Sequence, residues 1–135
     1  MIFIKKMIHT IHTIGRRKTA VARMYMKLGS GLIKVNNLPY KNYFNNNLLF
    51  NKISKPLLLT YNKNKFDFYI KVSGGGINSQ AEAISLAISR ALCKFDINYK
   101  PILKEQNLLT RDPRMVERKK YGKKKSRKNF QFSKR

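Results

Sequence analysis

The sequence predicts an α+β domain that carries a long basic C-terminal extension. Three observations predict it. Residues 19–28 and 66–72 alternate apolar and polar side chains with the period of a half-buried strand. Residues 79–95 repeat apolar side chains at helical spacing. The last 25 residues, RDPRMVERKKYGKKKSRKNFQFSKR, follow neither period.

Taken in order, the opening MIFIKKMIHTIHTI has two lysines among apolar residues and no small-residue cleavage site after it. It predicts an N-terminal arm or lead-in strand over 1–14, not a signal peptide. In TAVARMYMKL, Ala20, Ala22, Met24, Met26 and Leu28 share one face, and Thr19, Arg23, Tyr25 and Lys27 the other, with Val21 the apolar exception. Gly29-Ser30-Gly31 supplies a turn able to adopt positive φ, so Leu32–Val35 is expected to return beside this strand as a hairpin. Pro39 and Pro56 each suit the first turn of a short helix, where a missing N–H costs nothing. The Asn-rich segment 45–51 is loop or short helix.

Phe66, Phe68, Ile70 and Val72 define the inner face of the next strand, and Gly74-Gly75-Gly76 ends it in a sharp reversal. Ser79 and Glu82 have capping-box spacing and predict a helix running to about Phe95. Its expected buried stripe is Ala81, Ile84, Ile88, Ala91, Leu92 and Phe95. The small Ala81 and Ala91, flanked by Ala87, permit close approach to a sheet. Asn98 and Pro101 open one more short helix, PILKEQNLL, and Thr110 leads into the extension. The order β-β-(short α)-β-α-α implies a small, mostly antiparallel or mixed sheet packed by helices. The expected organisation is a globular domain over 1–110 and an extended basic tail over 111–135.

Charge sets the function classes. The net charge is +24. The tail holds twelve Lys or Arg against two acids, and residues 1–110 hold 18 against four, so domain and tail are both strongly cationic. With few apolar groups and no period, the tail cannot offset its own ordering entropy and needs a polyanion to order it. Nucleic acid is the first candidate, ahead of a membrane surface or an acidic protein. No apolar run approaches the roughly 20 residues that span a bilayer. The lone Cys93 excludes an internal disulfide and a multi-cysteine zinc site, and its place in an apolar helical pattern predicts a structural thiol in an intracellular protein. The excess of Asn, Lys, Ile, Phe and Tyr, with no Trp, matches A/T-rich codons and hints at a reduced bacterial or organellar genome.

The motifs point the same way. Gly15-Arg16-Arg17-Lys18 precedes the first alternating strand. With Arg23 on the strand's polar face and the tail beyond, it suggests a continuous anion-binding surface of arginine forks and lysine point charges. Gly74–Gly76 leads bare N–H groups into a helix start. A pure turn role and close approach to an RNA backbone both remain open, whereas no nucleotide-binding string is present. His9 and His12 lack further ligands for a metal. The acids Asp67, Glu82, Asp96, Glu105, Asp112 and Glu117 are scattered, with Glu82 expected as a cap and Asp67 and Asp96 on solvent faces or paired with lysine. No nucleophile–base set is visible, so an enzyme is not expected, and no cofactor is implied. A free, nonspecific nucleic-acid-binding or chaperone protein and an RNA-modifying enzyme are the rival classes.

GRRKTAVAR at 15–23, SGGGINSQAEAISLAISRAL at 73–92 and TRDPRMVERKKYGKKKSRKNFQFSKR at 110–135 closely resemble bacterial-type small-subunit ribosomal protein S9. The similarity spans residues 13–135, loosest over 41–65, and the terminal QFSKR is its most specific part. The resemblance implies a ribosomal-protein-S5-domain-2-like fold with a left-handed βαβ crossover. It implies a place in the small-subunit head on 16S-type rRNA, beside neighbouring head proteins, with the tail reaching the anticodon stem-loop of P-site tRNA. Residues carried over as tRNA-proximal are Ser133, Lys134 and Arg135. Those carried over to rRNA are Arg16, Arg17 and Lys18, the Gly74–Gly76 loop, and Arg111, Arg114, Arg118, Lys119, Lys120, Lys123, Lys124, Lys125, Arg127 and Lys128. Arg23 joins the rRNA set from its place on the basic strand face. A ribosome-bound cytoplasmic protein of a bacterium is implied, with a plastid or mitochondrial ribosome as the alternative, and neither a membrane nor a homo-oligomer is.

Overall fold

Alternation builds the sheet. In the computed structural model, which describes residues 10–114 and 121, the strands are β1 (Ile11–Arg17), β2 (Ala20–Leu28), β3 (Ile33–Val35), β4 (Leu38–Pro39) and β5 (Phe66–Ser73). They form one mixed sheet in the order β1-β2-β5-β3-β4. β1 and β5 flank β2 antiparallel, and β3 runs parallel to β5. The predicted inner faces are borne out: Ala20, Ala22, Met24 and Met26 on β2, and Phe66, Phe68, Ile70 and Val72 on β5, are buried. The lead-in strand is also present, but it continues through Arg17, so the basic cluster lies within β1 and in its two-residue turn to β2.

Helix α3 (Ile77–Phe95) lies on the inner face, chiefly against β1 and β2, and α2 (Asn47–Leu59) packs on α3. Ala81, Ile84, Ile88, Ala91 and Leu92 are buried as expected. The closest approach is made by a residue on the sheet: a Cβ on Gly15 would overlap the Ala83 carbonyl. That gap lets Thr13 Oγ1 donate 2.9 Å to the Ala87 carbonyl inside the core. From the same helix, Arg90 Nη1 donates to the Ile14 carbonyl (2.8 Å) and Lys94 Nζ to that of His12 (3.2 Å). The chain then closes with a 3-10 turn (Ile97–Tyr99) and a short helix α4 (Lys100–Glu105), so the last helix is shorter than its apolar pattern predicts. Leu103 is buried, and Leu108 and Leu109 pack against the core.

Several expectations are corrected. Gly29–Gly31 does not make a β2–β3 hairpin, because β5 lies between those strands. Asp67 explains the path of the loop. Its Oδ1 accepts the backbone N–H groups of Ser30, Gly31 and Leu32 at 2.9–3.2 Å, tying the loop across the start of β5. This carboxylate is therefore a backbone acceptor, not a lysine partner. The hairpin partner of β3 is instead β4, through Asn36 and Asn37, both at positive φ, where asparagine is among the few tolerated residues. The Asn36 side chain also exchanges two 3.0 Å hydrogen bonds with the Val72 backbone, adding a rung beyond the end of β3.

Pro39 does precede a short helix, α1 (Tyr40–Tyr43). Pro56 lies in the last turn of α2, not the first, because the helix starts in the Asn-rich segment, where Asn46 accepts from Leu48 N and caps it. Pro56 removes one internal N–H close to the helix end, and burial of Leu49, Ile53, Pro56 and Leu57 holds the helix over that gap. Ser79 and Glu82 form no capping box. The helix begins three residues earlier, with Gly76 as N-cap and no side-chain cap, leaving Glu82 free for other partners. At the rims, Leu28 and Phe95 are about half exposed, though Phe95 still meets Phe66 edge-on at 4.8 Å. Asp96 caps the 3-10 turn through Asn98 N.

Candidate nucleic-acid interface

Three stretches far apart in sequence meet at one end of the sheet. The β1–β2 turn, Lys18-Thr19, puts Lys18 at φ 52° and brings Arg16, Arg17 and Lys18 to that end. Because β5 ends beside the start of β2, the glycine loop arrives at the same place. A Cβ on Gly74 would overlap the Thr19 carbonyl, and one on Gly75 would lie 3.1 Å from Ala20 Cβ. Both glycines have positive φ, so the turn requires them. Gly76 has open space around its Cβ direction and opens α3, whose first-turn N–H groups are unsatisfied within a helix.

Residues 111–114 are the third stretch, and Arg17 holds them. Its Nε donates 2.6 Å to Glu82 Oε2, its Nη1 donates 2.7 Å to the Arg114 carbonyl, and its Nη2 lies 3.5 Å from Asp112 Oδ2. Its side chain is only 13% exposed, so this guanidinium is committed within the protein. Lys52 Nζ donates 3.2 Å to the other Glu82 oxygen, and Arg114 forks onto Asp112. Partial burial raises the Glu82 carboxyl, but the hydrogen bonds and charges of Arg17 and Lys52 outweigh it and hold the group below its ordinary value. Asp112 is held far below its ordinary value, first by the Arg114 hydrogen bonds. Beside this network lies a cleft of about 260 Å³ lined by Arg16, Arg17, Lys52, Lys55, Glu82 and Asp112.

Arg16 and Lys18 flank Arg17 and are exposed, as is Arg111. Arg23 lies on the face of the sheet turned away from α3, opposite Lys71 on β5, also exposed. Arg118, Lys119, Lys120, Lys123, Lys124, Lys125, Arg127, Lys128, Ser133, Lys134 and Arg135 lie outside the described residues, as do His9 and Glu117. His12 lies against Tyr25, ring centroids 4.7 Å apart and planes tilted by 35°. Among the described residues no His, Cys, Asp and Glu cluster able to hold a metal occurs, and no helix is long and apolar enough to cross a membrane. Cys93 packs half-buried against the core, and that burial pushes its thiol up against the opposing charge of Lys100.

Sequence reasoning missed the Arg17–Glu82–Asp112–Arg114 network. Glu82 and Arg114 are 65 and 97 positions from Arg17, and no local pattern carries such a pairing.

The chain is similar to known ribosomal proteins. The family model described as Ribosomal protein S9/S16 matches residues 15–135. A small ribosomal subunit protein uS9 of Christiangramia forsetii is 58% identical over 125 residues, covering 93% of this chain and 98% of that protein. Proteins of the same name from Chlorobium limicola and Chlorobaculum tepidum are 54% and 55% identical over 93% of this chain and 97% of theirs. Through the whole of its basic end, then, this chain belongs to the ribosomal protein S9/S16 family, a family of ribosomal proteins and not of enzymes.

Proposed function

We propose that this chain is a structural constituent of the bacterial small ribosomal subunit, bound to 16S-type rRNA in the head and extending its tail to P-site tRNA. The observation that carries this is the family match over residues 15–135, which takes in all twelve tail cations. The proposed fold is the S5-domain-2-like one, consistent with a parallel β3–β5 pair joined through α1 and α2. Domain 1–110 and tail 111–135 divide the work. The domain presents Arg16, Lys18, Arg23 and the Gly74–Gly76 loop to phosphate, through charge and bare N–H groups. Arg17 acts differently from its neighbours. It fixes the direction in which the tail leaves the domain, so that Arg111, Arg114 and the cations from Arg118 to Lys128 enter rRNA from a defined root. Ser133, Lys134 and Arg135 form the tip at the tRNA backbone. The protein works in the cytoplasm, on the ribosome, among neighbouring head proteins.

Two deletions test this. Removing Ser133–Arg135 is expected to leave incorporation into small subunits near normal while P-site tRNA retention and frame maintenance fall. Unchanged retention would remove the tip's role. Removing 111–135 is expected to impair incorporation as well, read by sedimentation. It should also flatten the salt dependence of rRNA binding, by about 0.7–0.9 in the log–log slope for each phosphate that the tail neutralises. A wild-type chain found mostly off ribosomal particles in moderate salt would favour a free RNA-binding protein instead.

A further inference from the structure

The outer face of the sheet is bare among the described residues, and its side chains form a pattern that the tail and the basic turn do not explain. Strand register places His12, Tyr25, Tyr69 and Lys34 in one row across β1, β2, β5 and β3. Tyr25 and Tyr69 are 41% and 40% exposed, too much for packing residues and unusual for two directly opposed aromatics on a sheet that already has a full core. His12 supports Tyr25 from the side, and Lys27 Nζ hovers 5.8 Å from the Tyr69 ring centre. The next row holds Arg23 opposite Lys71. Asp67, the face's one carboxylate among the described residues, stands opposite Lys27 and accepts three backbone N–H groups through its Oδ1. Like charges directly opposite each other destabilise a sheet, so the isolated fold gains nothing from the Arg23–Lys71 pair.

Resting on the reading that the chain binds rRNA, we propose that this outer face is a stacking platform for an unpaired stretch of RNA. Bases lie on Tyr25 and Tyr69 while Arg23, Lys71 and Lys34 take the flanking phosphates. Aromatic rings on a cationic sheet suit single-stranded RNA because every base offers a π-face and every nucleotide a phosphate. A duplex keeps its bases stacked inside and can use only the cations. The Lys27 contact with Tyr69 is weaker than a stacked base at an exposed site, so a base displaces it and leaves the ammonium at the backbone.

The test uses the full chain, with an oligoadenylate of about ten nucleotides and an RNA duplex of equal length as probes at one salt concentration. Tyr25→Leu and Tyr69→Leu should each weaken oligoadenylate binding by roughly 5- to 100-fold, with little change in salt slope or duplex binding. Tyr25→Phe and Tyr69→Phe should restore it. With no Trp to mask the seven tyrosines, oligoadenylate should quench part of the tyrosine emission of the wild-type chain, and that part should shrink in each Leu variant. Far-ultraviolet circular dichroism checks that the variants fold. Leu variants that bind oligoadenylate like wild type, or that lose both probes equally, would overturn the platform while leaving rRNA binding intact. The platform is equally overturned if deleting residues 1–9 exposes the two rings without RNA, since the chain would then cover its own face. Failure of the wild-type chain to bind either probe takes the rRNA-binding reading down with it.

Discussion

Arg17 and Arg23 lie on the same β-hairpin, six positions apart, and do opposite things. Arg17 sits where two carboxylates and a carbonyl converge, and its side chain is 13% exposed. Arg23 stands exposed opposite a lysine, with no acid paired to it among the described residues. One uses its charge inside the protein, the other leaves it exposed. In a chain of net charge +24, cations are therefore not interchangeable. Arg17, Arg90 and Lys94 build the fold, whereas Arg16, Lys18, Arg23 and Lys71 are left over by it.

The contrast can be broken by paired substitutions. Arg17→Met removes the side chain that ties Glu82 to Asp112 and the Arg114 carbonyl, leaving Glu82 to Lys52 and Asp112 to Arg114, and is expected to cost about 1–2 kcal/mol in urea unfolding, between the values for exposed and buried pairs. Arg23→Met should change stability by less than about 0.5 kcal/mol and show itself only as weaker RNA binding with a shallower salt slope. Equal stability losses would erase the distinction. Glu82→Gln keeps the shape and removes the charge that Arg17 and Lys52 share. The expected result is a smaller stability loss, with the amide of Arg114 exchanging faster as the tail root loosens.

The smallest effect is acid sensitivity of that root. The folded Glu82 carboxyl lies below its ordinary value of 4.5, so near that pH the unfolded chain binds more protons than the folded one. Its contribution is thus complete above about pH 4.5 and fades as pH falls through the lowered folded value. Asp112, held lower still, lets go last. Backbone NMR shifts at 111–114 should move through that window while shifts in α3's buried stripe hold. A root that opened on raising the pH would contradict the assignment.

How much of this was legible follows from the range of each interaction. The inner faces of β2 and β5 could be read because period two is a local property of Ala22, Met24 and Met26, or of Phe68, Ile70 and Val72. The end of α3 was legible for the same reason, but its start was not. Ser79 and Glu82 have cap spacing, yet Gly76 begins the helix and Glu82 is taken by Arg17 from another strand. The supposed β2–β3 hairpin failed because a glycine turn fixes only that the chain bends. The strand that fills the gap, β5, lies far along the chain, and Asp67 at its start holds the loop from 37 residues beyond Ser30. At the interface, residue types and clusters were readable, and the family resemblance supplied their assembly. The division of labour between Arg17 and its neighbours needed coordinates.

The sheet's two borders carry one last consequence. β4 is two residues long and ends in a proline, which has no N–H to offer, and the outward carbonyls of His12 and Ile14 on β1 are already taken by Lys94 and Arg90. Among the described residues, both borders are thus poor templates for a second copy, and on the β1 side an approaching strand would also meet two positive charges. A ribosomal protein must wait, cationic and unassembled, between its synthesis and its RNA. These blunted borders are expected to keep it from passing that interval as a growing stack of its own sheets.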